Sequence, residues 1–199
     1  MKKICILDYN AGNLYSIYNA VLKSDCKCII SSKEHEILSS DGLILPGVGS
    51  FPRVMSVIKK KGLDKIIKKF IKTKKPVLGT CLGMQILFSD SCEFKKTKGL
   101  GIFKGKILKL PKADVNIIPN IGWNNLKSVR KKYKKILNNY YYFVHSYYVS
   151  CDKNIIQAYT KINDFKFCSA VGKDNIFATQ FHLEKSGKSG LDFIKQYFK

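Results

Sequence analysis

Arginine is nearly absent from this 199-residue sequence, although basic residues are abundant. Only Arg53 and Arg130 are arginines, so 34 of the 36 basic residues are lysines, against 14 acidic residues and a net charge of +22. A strongly basic chain suggests a polyanionic partner, but proteins that read phosphates and bases rely on the bidentate guanidinium group. We therefore interpret the charge as a solvated lysine-rich surface and expect no nucleic-acid partner. A lysine-rich nucleic-acid-binding module is the alternative of a different class.

The sequence also lacks long apolar runs and the patterns of secreted or zinc-binding proteins. No apolar run approaches the ~18 residues that span a bilayer, and the few apolar residues between Lys3 and Asp8 are too short for a secretory signal. The seven cysteines include no CxxC pair, and the histidines at 35, 145 and 182 do not stand at zinc spacing from them. We expect a cytoplasmic protein with reduced cysteines, no membrane contact, no metal and no cofactor.

Strands and amphipathic helices alternate over the first 88 residues. Apolar stretches at 2–8, 26–31, 43–46 and 76–80 read as strands, and residues 63–71 keep a 3.6-residue apolar period typical of a helix. This alternation predicts an α/β fold with a mostly parallel central sheet flanked by helices. The polar residues that follow 26–31 predict a loop. From about residue 90, short β-like runs, among them YYYFVHSYYV at 140–149 as one strand, predict an antiparallel extension, and 190–199 a closing helix. With no repeat or linker, we expect one domain over residues 1–199.

The segment PVLGTCLGMQ, residues 76–85, predicts a reactive cysteine. A strand enters Gly79-Thr80-Cys81-Leu82-Gly83 and a helix leaves it, which is the cysteine version of the G-x-S-x-G nucleophile elbow. Glycines two residues before and after the nucleophile permit the sharp turn. The helix start favours a thiolate at Cys81, and the Leu82 amide is placed to hold an oxyanion. A buried structural cysteine before a tight turn is the alternative.

Two further segments complete this chemistry. His182 stands at the end of a predicted strand with Glu184 two residues on, and side chains at i and i+2 of an extended segment point the same way. Cys81, His182 and Glu184 then form a predicted triad of nucleophile, base and orienting carboxylate. A surface ion pair of Glu184 with a neighbouring lysine such as Lys185 is the alternative. Residues 46–49, Pro-Gly-Val-Gly, follow a strand and expose amides at its carboxyl end. They lack the lysine of a phosphate-binding loop, which disfavours a nucleotide site.

Together these segments resemble the class I, or triad, glutamine amidotransferases, whose motif G-x-C-x-G-x-Q matches Gly79, Cys81, Gly83 and Gln85. The resemblance is narrower still, to the glutaminase subunits of imidazole glycerol phosphate synthase. The segments that carry it are DYNAGNLYSI at 8–17, PGVGSF at 46–51, GTCLGMQ at 79–85, PNIGWN at 119–124, YFVHSYY at 142–148 and QFHLEKSG at 180–187.

This resemblance implies a single flavodoxin-like domain that hydrolyses glutamine through a Cys81 thioester. The ammonia passes to a cyclase partner subunit in a heterodimer, giving imidazole glycerol phosphate and aminoimidazole carboxamide ribotide in histidine biosynthesis. The family's motifs imply glutamine binding by Gln85, His145, Ser146 and Tyr147. They imply an oxyanion region at Val48, Gly49 and Leu82. They place Asn13 and Trp123 near the partner contact, where the lysine-rich surface is expected to meet a more acidic patch.

Two positions depart from the family pattern. Leu183 stands where the family usually has proline in Q-F-H-P-E, so the His182–Glu184 segment loses a fixed φ. Asn120 replaces the histidine common in P-H-x-G-W-N. Neither change removes a catalytic group, but Asn120 leaves open a paralogous glutaminase that supplies ammonia for the amination of bacterial surface sugars. Anthranilate-type and guanylate-type amidotransferases share the Cys81 motif without the VHSYY and GWN segments.

Overall fold

Strands and helices alternate along the first 85 residues of the chain, as the sequence predicts. The computed structural model describes residues 1–10, 13–115 and 117–199, and Lys132 by its backbone alone. The strands of this part are β1 (Lys3–Leu7), β2 (Lys27–Ser31), β3 (Gly42–Leu45) and β4 (Val77–Thr80). The helices are α1 (Leu14–Lys23), α2 (Glu34–Leu38), α3 (Phe51–Lys60), α4 (Leu63–Lys72) and α5 (Leu82–Gln85).

The second part of the chain is dominated by strands. They are β5 (Asp90–Ser91), β6 (Thr97–Lys98), β7 (Gly105–Lys109), β8 (Asn120–Ser128), β9 (Tyr140–His145), β10 (Tyr147–Cys151), β11 (Ile156–Ile162), β12 (Phe165–Lys173) and β13 (Ile176–Thr179). The helices are α6 (Lys134–Leu137) and α7 (Gly187–Tyr197), and 3₁₀ turns occupy Lys131–Tyr133, Lys153–Ile155 and Leu183–Lys185.

Within the described residues these strands join in one thirteen-stranded sheet. Strands β2, β1, β3, β4 and β13 lie side by side in parallel, and β12 then pairs antiparallel with β13. The antiparallel part continues through β10 to β7, while β11, β8 and β9 form a branch from β12. The predicted α/β sheet with an antiparallel extension is confirmed. All five parallel strands end at the same edge, which is where open α/β sheets place their binding sites.

The parallel strands are buried on both faces because helices cover each side. Successive residues of a strand point to opposite faces, so Cys5 and Leu7 of β1 pack in one core cluster with apolar residues of α3 and α4. Ile4 and Ile6 pack in the other, with residues of α1 and α7. Two layers of helices therefore fix the strand ends in space.

Two predictions of local structure need correction. The segment after β2, interpreted as a polar loop, contains helix α2, whose first turn carries Glu34 and Glu36 where the helix dipole favours acidic groups. The run YYYFVHSYYV, interpreted as one strand, is two strands, β9 and β10, separated at Ser146. This break places His145, Ser146 and Tyr147 at the sheet edge where β4 and β13 end.

Candidate active site

A cavity of about 730 Å³ lies at the carboxyl edge of the parallel strands. It brings together almost all of the predicted site residues: Asn13, Val48, Gly49, Cys81, Leu82, Gln85, His145, Ser146, Tyr147, His182 and Glu184. The loops after β3 and β4, the loop after β13 and the break between β9 and β10 each contribute. Of the predicted residues, Trp123 is the one outside the cavity lining; it lies on β8 with about half of its surface exposed.

Cys81 sits in a strained backbone conformation directly after β4. Its φ of 47° and ψ of −107° are rare for a residue with a side chain. The turn also requires glycine at position 83, where an added Cβ would lie 1.9 Å from the Leu45 carbonyl oxygen. At position 79 an added Cβ would lie 2.8 Å from the carbonyl oxygen of Gly83. The geometry of a nucleophile elbow, predicted from the sequence, is therefore present.

The thiol of Cys81 is mostly buried, with 8% of the residue exposed. Its Sγ lies 3.6 Å from Nε2 of Gln180 and 3.7 Å from the carbonyl oxygen of Val144. The sulfur thus has an amide donor on one side and a carbonyl acceptor on another, and it faces the cavity. This position suits a nucleophile and does not suit an inert core cysteine.

His182 and Glu184 meet, as predicted, but through a different local structure. Nδ1 of His182 lies 2.7 Å from Oε1 of Glu184, and both side chains are more than nine-tenths buried. Strand β13 ends at Thr179, and Leu183–Lys185 form a 3₁₀ turn, so the extended i, i+2 arrangement is wrong. The turn folds Glu184 back onto the imidazole. A surface pairing of Glu184 with Lys185 is replaced by this buried contact.

The charge state of His182 follows from its neighbours. Burial would lower the pKa of His182, but hydrogen bonds with Cys81 and Glu184 outweigh it and raise the pKa to about 10. His182 therefore carries its second proton near neutral pH. Because a carboxylate accepts at Nδ1, the Nε2–H is directed to the sulfur, and an imidazolium in that place favours the thiolate form of a cysteine.

The backbone around His182 is held by both parts of the sheet. The His182 amide donates to the carbonyl oxygen of Tyr142 on β9, 2.9 Å away. The Tyr142 amide in turn donates to Oγ of Ser186, whose hydroxyl donates to the His182 carbonyl. Leu183, which departs from the family pattern, is fully buried in the core cluster beneath α1 and α7. Apolar packing of Leu183 and these hydrogen bonds fix the turn without a proline.

The loop after β3 packs directly against the elbow. An added Cβ at Gly47 would lie 1.8 Å from the Thr80 carbonyl oxygen and 2.7 Å from the Leu82 amide nitrogen. Leu82 is the first residue of α5, so its N–H has no intrahelical acceptor. Gly49 has a φ of 118°, and Val48 beside it is 42% exposed. The predicted oxyanion residues therefore lie together at the mouth of the cavity.

A chain of amides behind the cavity fixes the orientation of Gln85. Its Nε2 donates to the Tyr147 carbonyl oxygen and to Oε1 of Gln180, each 3.1 Å away. Both protons of the Gln85 amide are thus engaged, and Oε1 is its remaining polar atom. Gln180, which is fully buried, was not predicted as a site residue. Its sequence signal is its place as the first residue of the QFHLEKSG segment, two residues before His182.

His145 is a neutral wall residue of the cavity. Burial lowers its pKa to about 4, against the opposing effect of its bond to the backbone of Tyr147. A carbonyl oxygen only accepts, so Nδ1 of His145 donates to the Tyr147 oxygen at 2.9 Å. Nε2 then accepts from Nδ2 of Asn120 at 3.0 Å. Asn120, the second departure from the family pattern, is therefore integrated into the wall as a hydrogen-bond donor.

Three charged residues that line the cavity, Glu93, Lys109 and Lys185, were not predicted as site residues. Glu93 is half-buried, and its Oε2 accepts a hydrogen bond from the Phe51 amide at 2.7 Å. Burial raises the pKa of Glu93. Lys109, at the end of β7, also lines the cavity. Lys185 follows Glu184 in the QFHLEKSG segment, whereas Glu93 and Lys109 stand in no motif and reach the cavity only through the folded sheet.

The predicted partner-contact residues lie at the rim and beyond it. Asn13, the residue before α1, lines the cavity, whereas Ala11 and Gly12 of the same motif lie outside the described residues. Trp123 packs edge-on against Tyr142 with ring centroids 5.9 Å apart. Ile121, two residues before it on the same strand, is 60% exposed. These side chains form an open apolar surface beside the cavity.

A second cavity, of about 630 Å³, lies at the opposite edge of the sheet. Pro76 and Asn175, which precede β4 and β13, line it together with aromatic residues of α7. It contains none of the predicted site residues. Among the described residues, no helix combines the length and the apolar character needed to cross a bilayer.

Comparison with known proteins agrees with this geometry. The family model of glutamine amidotransferase class-I matches residues 5–198. A protein of Methanocaldococcus jannaschii described as imidazole glycerol phosphate synthase subunit HisH is 47% identical, covering 98% of this chain and 97% of its own. Proteins of the same description from Listeria innocua (43% identical, 98% and 94% covered) and Lactococcus lactis (40% identical, 100% and 99% covered) also match.

Solved structures support the fold. A structure described as PurLQS from Thermotoga maritima superposes with a TM-score of 0.77 at 17% identity, with all of both chains covered. A second, described as a glutamine amidotransferase, gives a TM-score of 0.76 at 14% identity, with 98% of both chains covered. At these identities the likeness concerns the fold alone, and it confirms the predicted fold class.

Proposed function

Because the chain belongs to the class I glutamine amidotransferases and, within them, to the HisH subunits of imidazole glycerol phosphate synthase, we propose that it releases ammonia from glutamine for a cyclase partner. One observation carries the chemistry: a strained cysteine after a parallel strand faces a buried histidine that is 2.7 Å from a glutamate. This arrangement suits acyl transfer from an amide.

The first half of the proposed reaction forms a thioester. The Cys81 thiolate attacks the side-chain carbonyl carbon of glutamine and gives a tetrahedral intermediate. The Leu82 amide and an amide of the Val48–Gly49 loop stabilise its oxyanion. His182, protonated near neutral pH, donates its proton to the departing nitrogen. The C–N bond breaks, ammonia leaves, and a glutamyl thioester remains on Cys81.

The second half restores the enzyme. His182 is now neutral and accepts a proton from water, which attacks the thioester carbonyl. Collapse of the second tetrahedral intermediate expels the Cys81 thiolate and releases glutamate. Glu184 holds Nδ1 of His182 throughout and stabilises the imidazolium each time it forms. Cys81, His182 and Glu184 are thus the proposed catalytic residues.

The cavity carries both signs of charge, which suits a zwitterionic amino acid. We assign the α-ammonium group of glutamine to Glu93, whose Oε1 is not occupied by the bond that Oε2 accepts from Phe51. The α-carboxylate would face Lys109. Oε1 of Gln85 and the backbone of residues 145–147 would complete the proposed glutamine site.

The proposed acceptor of ammonia is a cyclase subunit that makes imidazole glycerol phosphate and aminoimidazole carboxamide ribotide in histidine biosynthesis. The exposed surface around Trp123, beside the cavity mouth, is the proposed docking face. The lysine-rich surface would speed association with an acidic partner, and the rate would then fall with ionic strength. We propose a cytoplasmic heterodimer in which residues 1–199 form one domain.

Cys81→Ala tests the proposal. With the cognate cyclase subunit and its ligand, the variant should form glutamate from glutamine at less than about one thousandth of the parent rate, because nothing replaces the thiolate. Cys28→Ala, on the edge strand β2 away from the cavity, is the matched control and should keep full activity. Undiminished glutamate formation by Cys81→Ala would contradict the proposal.

A paralogous acceptor, in surface-sugar amination, is the second candidate because Asn120 departs from the family pattern. Incubation of the chain with glutamine, the histidine-pathway ribonucleotide and its cyclase distinguishes the two proposed ammonia acceptors. Formation of imidazole glycerol phosphate supports histidine biosynthesis, and glutamine hydrolysis without it supports the paralogue. A nucleic-acid role would instead require tight binding that weakens steeply with salt; we expect only weak retention at physiological salt.

A further inference from the structure

Gln180 is a buried polar side chain that the proposed mechanism does not use. It is fully buried, yet both ends of its amide contact the active site. Nε2 lies 3.6 Å from Sγ of Cys81, and Oε1 accepts from Nε2 of Gln85. A buried amide is costly unless its groups are bonded, so this placement calls for a functional or structural reason.

The orientation of the Gln180 amide is fixed by its neighbours. The Tyr147 carbonyl oxygen only accepts, so the end of Gln85 that faces it is the NH₂ group. That NH₂ group also faces Gln180, which must therefore present its oxygen to Gln85. The NH₂ group of Gln180 is then directed at Cys81. The Tyr147 carbonyl oxygen thus fixes the orientation of the Gln85 amide, and Gln85 in turn fixes that of the Gln180 amide.

An N–H directed at the sulfur has a specific effect on the nucleophile. The Val144 carbonyl oxygen, 3.7 Å from Sγ, disfavours negative charge on the sulfur. Hydrogen bonds to a charged atom are stronger than those to a neutral one, so Gln180 offsets this effect and stabilises the thiolate over the thiol. The same hydrogen bond favours the observed rotamer of the Cys81 side chain over the others.

We propose that Gln180 is a positioning residue for Cys81: anchored by Gln85, its Nε2–H donates to Sγ, stabilises the thiolate and fixes its direction of attack. This inference rests on the proposed glutaminase function and deepens it. It assigns Gln85 two roles, since the amide proposed to contact glutamine also orients Gln180. Substrate contact and nucleophile orientation are thereby joined in one chain of amides.

Alkylation of the full-length chain by iodoacetamide at a series of pH values tests this, with the Cys81 peptide followed by mass spectrometry. Gln180→Met removes the donor at nearly constant length, and Gln180→Asn keeps a donor that is too short to bridge Gln85 and Cys81. Both variants should shift the pH midpoint of Cys81 alkylation upward by roughly one unit. Below the midpoint, this shift corresponds to an alkylation rate about tenfold lower than that of the parent chain. Exposed Cys92 is the internal reference.

The matched control is Gln157→Met. Gln157 is also buried, and its Nε2 donates to the carbonyl oxygens of Ile155 and Gly172, away from the cavity. This variant should leave the Cys81 midpoint unchanged even where it lowers stability. With the cyclase partner, the two Gln180 variants should lower kcat about tenfold or more and change KM for glutamine less than about threefold.

A Cys81 midpoint within about 0.3 unit of the parent in a folded Gln180 variant would overturn the proposal and leave Gln180 a structural residue. If Gln180→Met fails to fold, Gln180→Asn decides. Because alkylation needs neither glutamine nor the cyclase, this result stands apart from the proposed function. Failure of that function would appear as no glutamate from the parent chain with its partner.

Discussion

His145 should make the folded chain lose stability as the pH falls below 6.5. Its imidazole is packed against Phe143 and Phe167, with ring centroids 5.6 Å and 5.1 Å away, and burial lowers its pKa to about 4. In the unfolded chain a histidine titrates near 6.5. Between these two pKa values the unfolded state binds a proton that the folded state does not. The contribution of His145 to stability is therefore fully present above pH 6.5 and is lost as the pH falls toward 4.

The size of the effect follows from the two pKa values. At pH 5 the loss is about 2 kcal/mol, and well below pH 4 it reaches a limit of about 3 kcal/mol. His182 acts in the opposite direction. Its pKa of about 10 gives stability that is fully present below 6.5 and is lost as the pH rises toward 10. The total pH dependence therefore masks His145, and a variant is needed to isolate it.

Urea unfolding of the parent chain and of His145→Gln at pH 8 and pH 5 provides that measurement. Glutamine offers an acceptor to Asn120 but does not titrate. The free energy of unfolding of the parent relative to the variant should fall by about 2 kcal/mol from pH 8 to pH 5. His35→Gln, which removes an imidazole with 78% of its side chain exposed, should show little difference. Equal differences at both pH values, within about 0.5 kcal/mol, would refute the reasoning.

Other predictions concern the elbow, the partner face and the triad. Gly83→Ala places a Cβ 1.9 Å from a backbone oxygen. It should lower glutaminase kcat about 100-fold or more by displacing the nucleophile. Gly172→Ala is the control, because its Cβ would meet only side chains, which can move. Trp123→Ala should weaken cyclase binding in a titration while changing the free energy of unfolding by less than about 1 kcal/mol, since half of the side chain is exposed. Glu184→Gln should lower the pKa of His182 and move the alkaline limb of the kcat profile to lower pH; an unmoved limb would contradict that role.

The sequence predicted the parallel half of the fold because local and tertiary signals agree there. In α4 the apolar residues keep a helical period and the same residues, such as Leu63, Ile67 and Phe70, are buried. The strand and glycines around Cys81 likewise specify the elbow without long-range information. Such segments can be assigned from spacing alone, because each one buries a continuous face.

The errors lie where long-range contacts decide the local structure. Nothing near Ser146 signals a break between β9 and β10, since the run is apolar and aromatic on both sides. Leu183 carries no turn signal, and its 3₁₀ turn depends on burial against α1 and α7 together with hydrogen bonds from β9. Glu93 reaches the site only through the order of strands in the sheet, and the contacts of Gln180 with Cys81 and Gln85 depend on the pairing of β13 with β4. Their roles, like those of the triad, stay predictions.

The bridge between His182 and Tyr142 has a mechanical consequence. Tyr142 of β9, whose ring packs against Trp123, also accepts a hydrogen bond from the backbone amide of His182, the proposed general acid. A shift of β9 caused by a docked protein would therefore reach the backbone of His182 through one hydrogen bond.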